Sequence, residues 1–116
     1  MFVHLSQKDS WGAIFVDSKV GSVGVSTDMP SATHAKKDAL ERCSKSGATD
    51  CEFLRTFRNQ CVVLAWPRRI GGKVVSYNEK TIEEATKIAL DVCMNDSGEA
   101  CDIVYSTCVE PIFESY

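Results

Sequence analysis

Short runs of β-branched and aromatic residues predict two β-hairpins, one in each half of the chain. The predicted strands are Ala13–Val16 and Val23–Ser26 in the first half, and Val63–Trp66 and Val74–Tyr77 in the second. Turn residues separate the two strands of each pair. The second turn contains Gly71 and Gly72, which suit a tight turn because glycine reaches positive φ at no steric cost.

Each hairpin is followed by a segment whose apolar residues recur at helical spacing. The two stripes are Ala32, Ala35, Ala39, Leu40 and Cys43, and Ile82, Ala85, Ala89, Val92 and Cys93. Ser31 and Thr81 stand at N-cap positions, and Glu84 completes a capping box with Thr81. Both helices should end near a glycine, Gly47 or Gly98. Because the stripes are rich in alanine, we expect each helix to lie close to a sheet.

The two halves are copies of one unit. At an offset of 50 residues the chain aligns with itself without gaps from Ala13 to Thr56. The matches include Val25 with Val75, Ser26 with Ser76, Cys43 with Cys93, and Cys51 with Cys101. Cys61 and Cys108 match at an offset of 47, which implies three extra residues near Arg58 and Asn59. We therefore predict copies over about residues 11–61 and 62–108, followed by a tail over 109–116.

Each copy has the order strand, strand, helix, strand. The last strands are predicted at Phe53–Phe57 and Ile103–Tyr105, and Arg58-Asn59-Gln60 is predicted to be a hairpin turn into the next strand. A length of 116 residues favours one domain. The predicted fold is a single α+β domain over residues 1–116, with about six mostly antiparallel strands and two helices in an internally duplicated, disulfide-stapled arrangement.

The six cysteines are the unusual feature of the composition. An even number at ordered spacings in a small chain favours disulfides and an oxidising compartment. A zinc site is disfavoured because no two cysteines form the short C-x2-4-C pair of such sites, and His4 and His34 complete no ligand pattern. Free buried thiols are the remaining alternative.

Symmetry between the copies favours one pairing of the cysteines. A helix end and the next strand, seven residues apart, can meet easily, which favours Cys43–Cys51 and Cys93–Cys101. Cys61 and Cys108 would then bridge the two copies. In the loop-entropy model the short loops contribute about 2.5 kcal/mol each and the long loop about 4 kcal/mol.

Composition and motifs exclude several classes of function. The chain is 44% hydrophobic and 25% charged, which is typical of a globular domain and not of a disordered one. No apolar run is long enough to span a membrane. The formal charge of −3 provides no electrostatic footprint for nucleic acid. The first ten residues lack the features of a signal peptide, so we expect the chain shown to be a mature exported form, with a lipid anchor on its precursor left open.

The familiar catalytic motifs are missing from the sequence. It contains no G-x-S-x-G, H-E-x-x-H, P-loop or G-x-G-x-x-G pattern. The Glu83-Glu84 pair is explained by capping and by the helix dipole, since adjacent helical residues point in different directions. We therefore expect no catalytic residue, no metal and no cofactor, and a protein that is not an enzyme.

Charge is segregated along the chain and suggests a binding surface. Residues 33–75 carry nine basic and four acidic residues, whereas residues 76–116 carry two basic and nine acidic ones. Arginine and aromatic residues are enriched in protein interfaces. The partner-binding candidates are the arginines and aromatic residues around the central strands, namely Arg55, Arg58, Arg68, Arg69, Trp66 and Tyr105. A solvated basic face and aromatic core residues are the simpler interpretation of the same pattern.

Several of these features together resemble the bacterial domain of unknown function 4189. The resemblance rests on the Trp11–Val16 segment, on the two helices that end in Cys43 and Cys93, and on Phe57-Arg58-Asn59-x-Cys61, and it extends from about Trp11 to Cys108. It implies an exported bacterial protein, in a family of which some members serve as immunity proteins beside secreted toxins. It implies no catalytic residues.

Two functions follow as hypotheses. The first is a non-catalytic protein-binding domain in the periplasm or outside the cell, most concretely an immunity protein that binds and neutralises a cognate effector delivered by a secretion system. The alternative is a small secreted enzyme or cell-wall-binding module. Catalytic turnover or binding to peptidoglycan without a protein partner would distinguish the alternative from the first. The oligomeric state and the identity of the toxin are left open.

Overall fold

The computed structural model of the chain describes residues 5–68 and 73–115, with the backbone alone for residues 5–8 and 112–115. It contains helices α1 (Ala32–Ser44) and α2 (Ile82–Ser97). Its strands are β1 (Leu5–Lys8), β2 (Trp11–Asp17), β3 (Ser22–Met29), β4 (Glu52–Arg58), β5 (Cys61–Pro67), β6 (Val75–Glu79), β7 (Cys101–Cys108) and β8 (Ile112–Ser115). The predicted turn at Gly71-Gly72, the candidate Arg69 and the histidine His4 lie outside the described residues.

The chain divides into two compact units. Unit 1 comprises the described residues up to Asn59 together with those from Val109 onward, and unit 2 comprises Gln60–Cys108. In unit 1 the antiparallel sheet has the order β3-β2-β4, and in unit 2 the order is β6-β5-β7. The predicted α+β fold with a repeated strand-strand-helix-strand unit is therefore confirmed, while the single-domain organisation stays a prediction.

Strands β1 and β8 form a separate two-stranded antiparallel sheet in unit 1. Leu5 pairs with Ser115 and Lys8 with Ile112. Neither segment was predicted to be a strand, because the first has no run of β-branched or aromatic residues and the second lies in the short tail. Pairing with a distant partner supplies the hydrogen bonds that a short terminal segment cannot make alone.

The strand register corrects the predicted relation between the copies. Trp11 and Arg58 form the last residue pair between β2 and β4 in unit 1. Cys61 and Cys108 form the corresponding pair between β5 and β7 in unit 2. The offset of 50 residues therefore continues to the end of the last strand, and the three extra residues predicted near Arg58 are wrong. Cys61 corresponds to Trp11 and Cys108 to Arg58, so the third cysteine pair has no counterpart in unit 1.

The predicted hairpin at Arg58-Asn59-Gln60 is also wrong. Strand β4 pairs with β2, whereas β5 pairs with β6 and β7. Asn59 ends β4 with a positive φ of 50°, a conformation that asparagine tolerates better than most residues. Its backbone N–H donates to the carbonyl of Ser10, and its side-chain oxygen accepts from the Ser10 N–H. These two bonds hold the end of β4 to the residue before β2.

The helices begin where the sequence predicts. The side chain of Ser31 accepts from the His34 N–H at the start of α1, and that of Thr81 accepts from the Glu84 N–H at the start of α2. Gly98 ends α2 in the left-handed conformation, with φ 70°, and its N–H donates to the Met94 carbonyl. The two helices bury matching stripes, namely Ala35, Ala39 and Cys43, and Ala85, Ala89 and Cys93.

Helix α1 lies close to strand β3 where that strand presents three small residues to it, Ser22, Gly24 and Ser26. Ser26 Oγ donates to the Ala35 carbonyl and Ser22 Oγ donates to the Cys43 carbonyl, both at 2.7 Å. Gly24 lies between these serines on the same face of the strand and opposite Phe15. In unit 2 the residue at the matching register is Val75, opposite Ala65. The predicted matches of Val25 with Val75 and of Ser26 with Ser76 are therefore each wrong by one residue.

Candidate binding surface

All six cysteines of the chain are joined in disulfides. Cys43 pairs with Cys51, Cys93 with Cys101, and Cys61 with Cys108, the pairing that symmetry favours. The first two tie each helix to the strand that follows it. The third does not bridge the units as expected, since both of its cysteines belong to unit 2 and are register partners on β5 and β7. The disulfides indicate a protein that folds outside a reducing cytoplasm.

The described residues, 5–68 and 73–115, form neither a metal site nor a membrane-spanning helix. Over those residues, no group of three or more histidine, cysteine or acidic side chains is arranged to hold a metal ion. Neither described helix is long and apolar enough to cross a membrane. A shallow, open depression runs along α1, lined by Asp38, Glu41, Arg42, Ser44 and Lys45. Its lining is charged and largely exposed, as is typical of a solvated helix surface.

The predicted partner-binding residues are divided between the units. Arg55 and Arg58 lie on β4 in unit 1, and Trp66, Arg68 and Tyr105 lie in unit 2, while Arg69 is outside the described residues. Arg55 is half-buried and stands opposite Ile14, on the sheet face that α1 does not cover. Trp66 is half-buried opposite Asp102, and Tyr105 is 39% exposed opposite Leu64.

Arg68 forms an ion pair within its own unit. Its Nε and Nη2 atoms donate to the two carboxylate oxygens of Asp102, at 2.9 and 2.8 Å. These hydrogen bonds, and then the positive charge, hold the pKa of Asp102 below its usual value, against the opposing effect of desolvation. Arg68 would have to give up this bidentate contact to bind a carboxylate on a partner.

We expect the variant Arg68→Gln to raise the pKa of Asp102 toward the value of an ordinary aspartate, because the donors that stabilise the charged form are lost. An NMR titration of the side-chain carboxyl carbons measures this change. The variant Lys87→Gln, which removes one positive charge from α2, should leave the Asp102 titration where it is. An unchanged Asp102 titration in Arg68→Gln would show that the pair does not persist in solution.

A different set of side chains comes together on the α1 side of the unit 1 sheet. We call it the aromatic–cationic surface, and it consists of Trp11, Phe15, Lys36, Phe53 and Arg58. The Phe15 and Phe53 rings are in tilted contact, with centroids 5.6 Å apart. Lys36 Nζ lies 4.7 Å from the Phe53 ring centroid, and the Arg58 guanidinium lies 5.5 Å from the Trp11 ring. These are cation–π distances.

Strand order and helix position explain why this surface is open. Strand β4 is the last strand of the unit 1 sheet, and α1 packs mainly over β2 and β3. Phe53 on β4 is therefore 45% exposed, although it is a large apolar side chain. The Arg58 side chain is 56% exposed and also lies 3.4 Å from a carboxylate oxygen of Asp9. Phe53 lies beneath Lys36, and a second cation–π pair, Arg58 with Trp11, lies at the other end of the same strands. A contiguous exposed patch of this kind is typical of an interaction site.

Unit 2 provides an internal comparison, since it has the same fold. The matching residues there are Cys61, Ala65, Thr86, Ile103 and Cys108, which are neither aromatic nor charged. Because unit 2 forms its sheet and helix without those side chains, the fold does not require them. The aromatic–cationic surface is thus a property of unit 1 alone.

Of this set, only Arg58 was among the partner-binding residues predicted from the sequence. Phe53 and Lys36 are far apart along the chain, and nothing in the local pattern shows that α1 leaves β4 uncovered. A comparison of the copies could have found the set, because aligned positions that differ in character between two copies of one fold are candidates for function.

Fold and cross-links define the class of this chain: a disulfide-stapled, internally duplicated α+β protein. The family model described as Domain of unknown function (DUF4189) matches residues 11–108, from the first residue of β2 to the last residue of β7. The chain belongs to that family. No curated protein and no solved structure matches it.

Proposed function

We propose that this chain is a non-catalytic protein-binding domain, periplasmic or secreted, that acts as an immunity protein by binding and neutralising an antibacterial effector. The observation that carries the proposal is the aromatic–cationic surface of unit 1, which unit 2 lacks. Exposed aromatic rings flanked by basic side chains have the composition of the central residues of protein interfaces.

The scaffold suits inhibition by occlusion. Each unit is cross-linked by disulfides, and a rigid surface loses little conformational entropy on binding. Phe53 and Trp11 would supply buried apolar contact with the partner. Lys36 and Arg58 would speed association with an acidic surface and make its rate dependent on salt. A specific interface of this kind covers about 800 Å² on each partner, and the aromatic–cationic surface would be its centre.

Capture of a partner by the oxidised protein tests the proposal. The wild type, the variant Phe53→Ser and the control variant Val104→Ser, at a similarly exposed apolar residue of β7 in unit 2, would serve as baits for envelope and secreted fractions of bacteria. We expect one stoichiometric partner on the wild type and on Val104→Ser, and about 10- to 100-fold weaker binding to Phe53→Ser, the usual range for loss of an interface hot spot. Mass spectrometry identifies the partner, and titration of the purified pair measures the affinity.

Protection from the captured partner completes the test. Cells that produce this partner in their periplasm should grow when they also export the wild type or Val104→Ser, and should be inhibited when they export Phe53→Ser. Retention on cell wall with no protein partner would contradict the proposal, as would a partner that does not inhibit growth. Equal binding by all three baits would show that the aromatic–cationic surface is not part of the interface.

A further inference from the structure

We infer that the aromatic–cationic surface binds an extended protein segment whose two carboxylates flank an apolar side chain on one face. This inference deepens the proposed function and rests on it, since it takes this surface to be the one that meets the partner. It specifies the chemistry of the partner segment and its orientation along the edge strand.

The two cations lie at opposite ends of the surface. Arg58 and Trp11 are register partners at one end, and Phe15 and Phe53 are register partners at the other, with Lys36 above Phe53. Phe15 is four positions after Trp11 along β2, which corresponds to about 14 Å of extended chain. A bound segment lying along β4 would therefore meet a positive charge at each end, four of its own residues apart.

The middle of the surface is small. Thr56 is half-buried and lies between Phe53 and Arg58 on the same face of β4, opposite Ala13, which α1 covers. Its methyl group can contact an aliphatic side chain. Residues one, three and five of an extended segment share a face. A segment with carboxylates at positions one and five and an aliphatic residue at position three would therefore match the surface at all three points.

The backbone of β4 adds a second element of recognition. Among the described strands, β4 pairs with β2 and with no other, so the outer row of its backbone groups is free of strand partners. A segment lying along this edge can accept and donate backbone hydrogen bonds, as in strand addition to other sheet edges. The irregularity in β4 opposite Ile14 and Phe15 limits such pairing to short stretches, which fits a segment of about five residues.

Aromatic rings beside cations also suit single-stranded nucleic acid, but the surrounding charge does not. Asp9 lies beside Arg58, and Glu52 lies next to Phe53 on β4. The whole chain carries a net charge of −3. A phosphate backbone needs a continuous basic track, whereas two separated carboxylates need only the two cations at the ends.

A synthetic peptide tests this chemistry without any effector. The probe is acetyl-Glu-Ser-Leu-Ser-Glu-amide, and the control is acetyl-Ser-Glu-Leu-Glu-Ser-amide, which has the same composition but places its carboxylates on the face opposite the leucine. Titration into ¹⁵N-labelled oxidised protein at low salt is followed by NMR. We expect saturable shifts at the Trp11 indole and the Phe53 amide with the probe, and unmoved signals at the Trp66 indole in unit 2.

Variants then separate the cations from general charge effects. Lys36→Gln should weaken probe binding by about three- to tenfold, the effect of one lost partly exposed charge contact, and Lys87→Gln on α2 should change it less than twofold. Phe53→Ser should weaken it by about tenfold or more. All three positions are exposed, so the variants should keep the wild-type spectrum elsewhere.

Four results would overturn the inference: no saturable shift, equal affinity for probe and control, shifts at Trp66 in place of Trp11, or tighter binding of an oligothymidine than of the probe. The last result would assign the surface to nucleic acid. The peptide experiment does not involve the effector. If the probe does not bind but the wild type still captures a neutralised effector, only the inferred chemistry of the partner segment is rejected. Probe binding without any neutralised effector would reject the proposed function alone.

Discussion

Replacing Gly24 by alanine is expected to destabilise the protein by about 3 kcal/mol or more, the upper range for overpacking a core. A Cβ at this position would overlap the carbonyl oxygen of Ala39, the amide nitrogen of Cys43 and the Cβ of Cys43. The first two are backbone atoms of α1 and cannot turn away as a flexible side chain can. The helix would have to rise from β3, which would also lengthen the bonds from Ser22 and Ser26 to its carbonyls.

Urea unfolding of the oxidised protein measures this effect. Gly21→Ala is the matched control, because a Cβ there meets nothing within 4 Å and its cost comes only from the positive φ of 72°. That cost should be about 1–2 kcal/mol. A Gly24→Ala variant no less stable than Gly21→Ala would show that α1 does not rest on β3 at this residue.

Removal of the Cys61–Cys108 disulfide is expected to be the second large effect. The bond closes a loop of 47 residues, whereas Cys43–Cys51 and Cys93–Cys101 each close one of eight. The loop-entropy model assigns it about 4 kcal/mol against about 2.5 kcal/mol for a short loop. Cys61→Ala/Cys108→Ala should therefore lose more stability than Cys93→Ala/Cys101→Ala in the same urea experiment.

The location of this disulfide makes the prediction sharper. Because both cysteines are in unit 2, hydrogen exchange in the double variant should accelerate first in β5 and β7, while β2 and β3 of unit 1 keep their protection. If the bond instead joined the two copies, its removal would accelerate hydrogen exchange in both units together. Simultaneous loss of protection in the two sheets would contradict the assignment of the bond to unit 2. A smaller loss of stability than in the short-loop variant would contradict the loop argument.

Local sequence patterns predicted most of the secondary structure. The stripes of alanine and cysteine predicted both helices and their close approach to a sheet, because small residues at helical spacing let a helix lie near the strands. Ser31 and Thr81 mark their first turns through one side-chain hydrogen bond each. The cysteine pairs followed from the copy symmetry and the short separations. Strands β1 and β8 were missed because their stability comes from each other and not from their composition.

The errors have a common physical cause: the sequence of one strand does not specify which strand it pairs with or in which register. Matching by residue type treated Cys61 and Cys108 as equivalent positions of the two copies. The register instead makes Cys61 the counterpart of Trp11, and Cys108 the counterpart of Arg58. The residues around Asn59 are typical of a hairpin turn. In the structure, however, Asn59 forms hydrogen bonds with Ser10 at the end of β4, and β5 belongs to the other sheet. The basic cluster in the sequence likewise divides between two units.

The sequence by itself determined the two copies, the helices, the cysteine pairs and the segregated charge of this protein. These properties depend on residue type and on spacing within about ten residues, where chain geometry leaves few choices. Only the tertiary structure decided which side chains share a surface. Lys36 meets Phe53, and Arg58 meets Trp11, because α1 rests on β3 at Gly24 and leaves the edge strand β4 uncovered. Such contacts join residues far apart in the chain, so packing and register create them and no local pattern can.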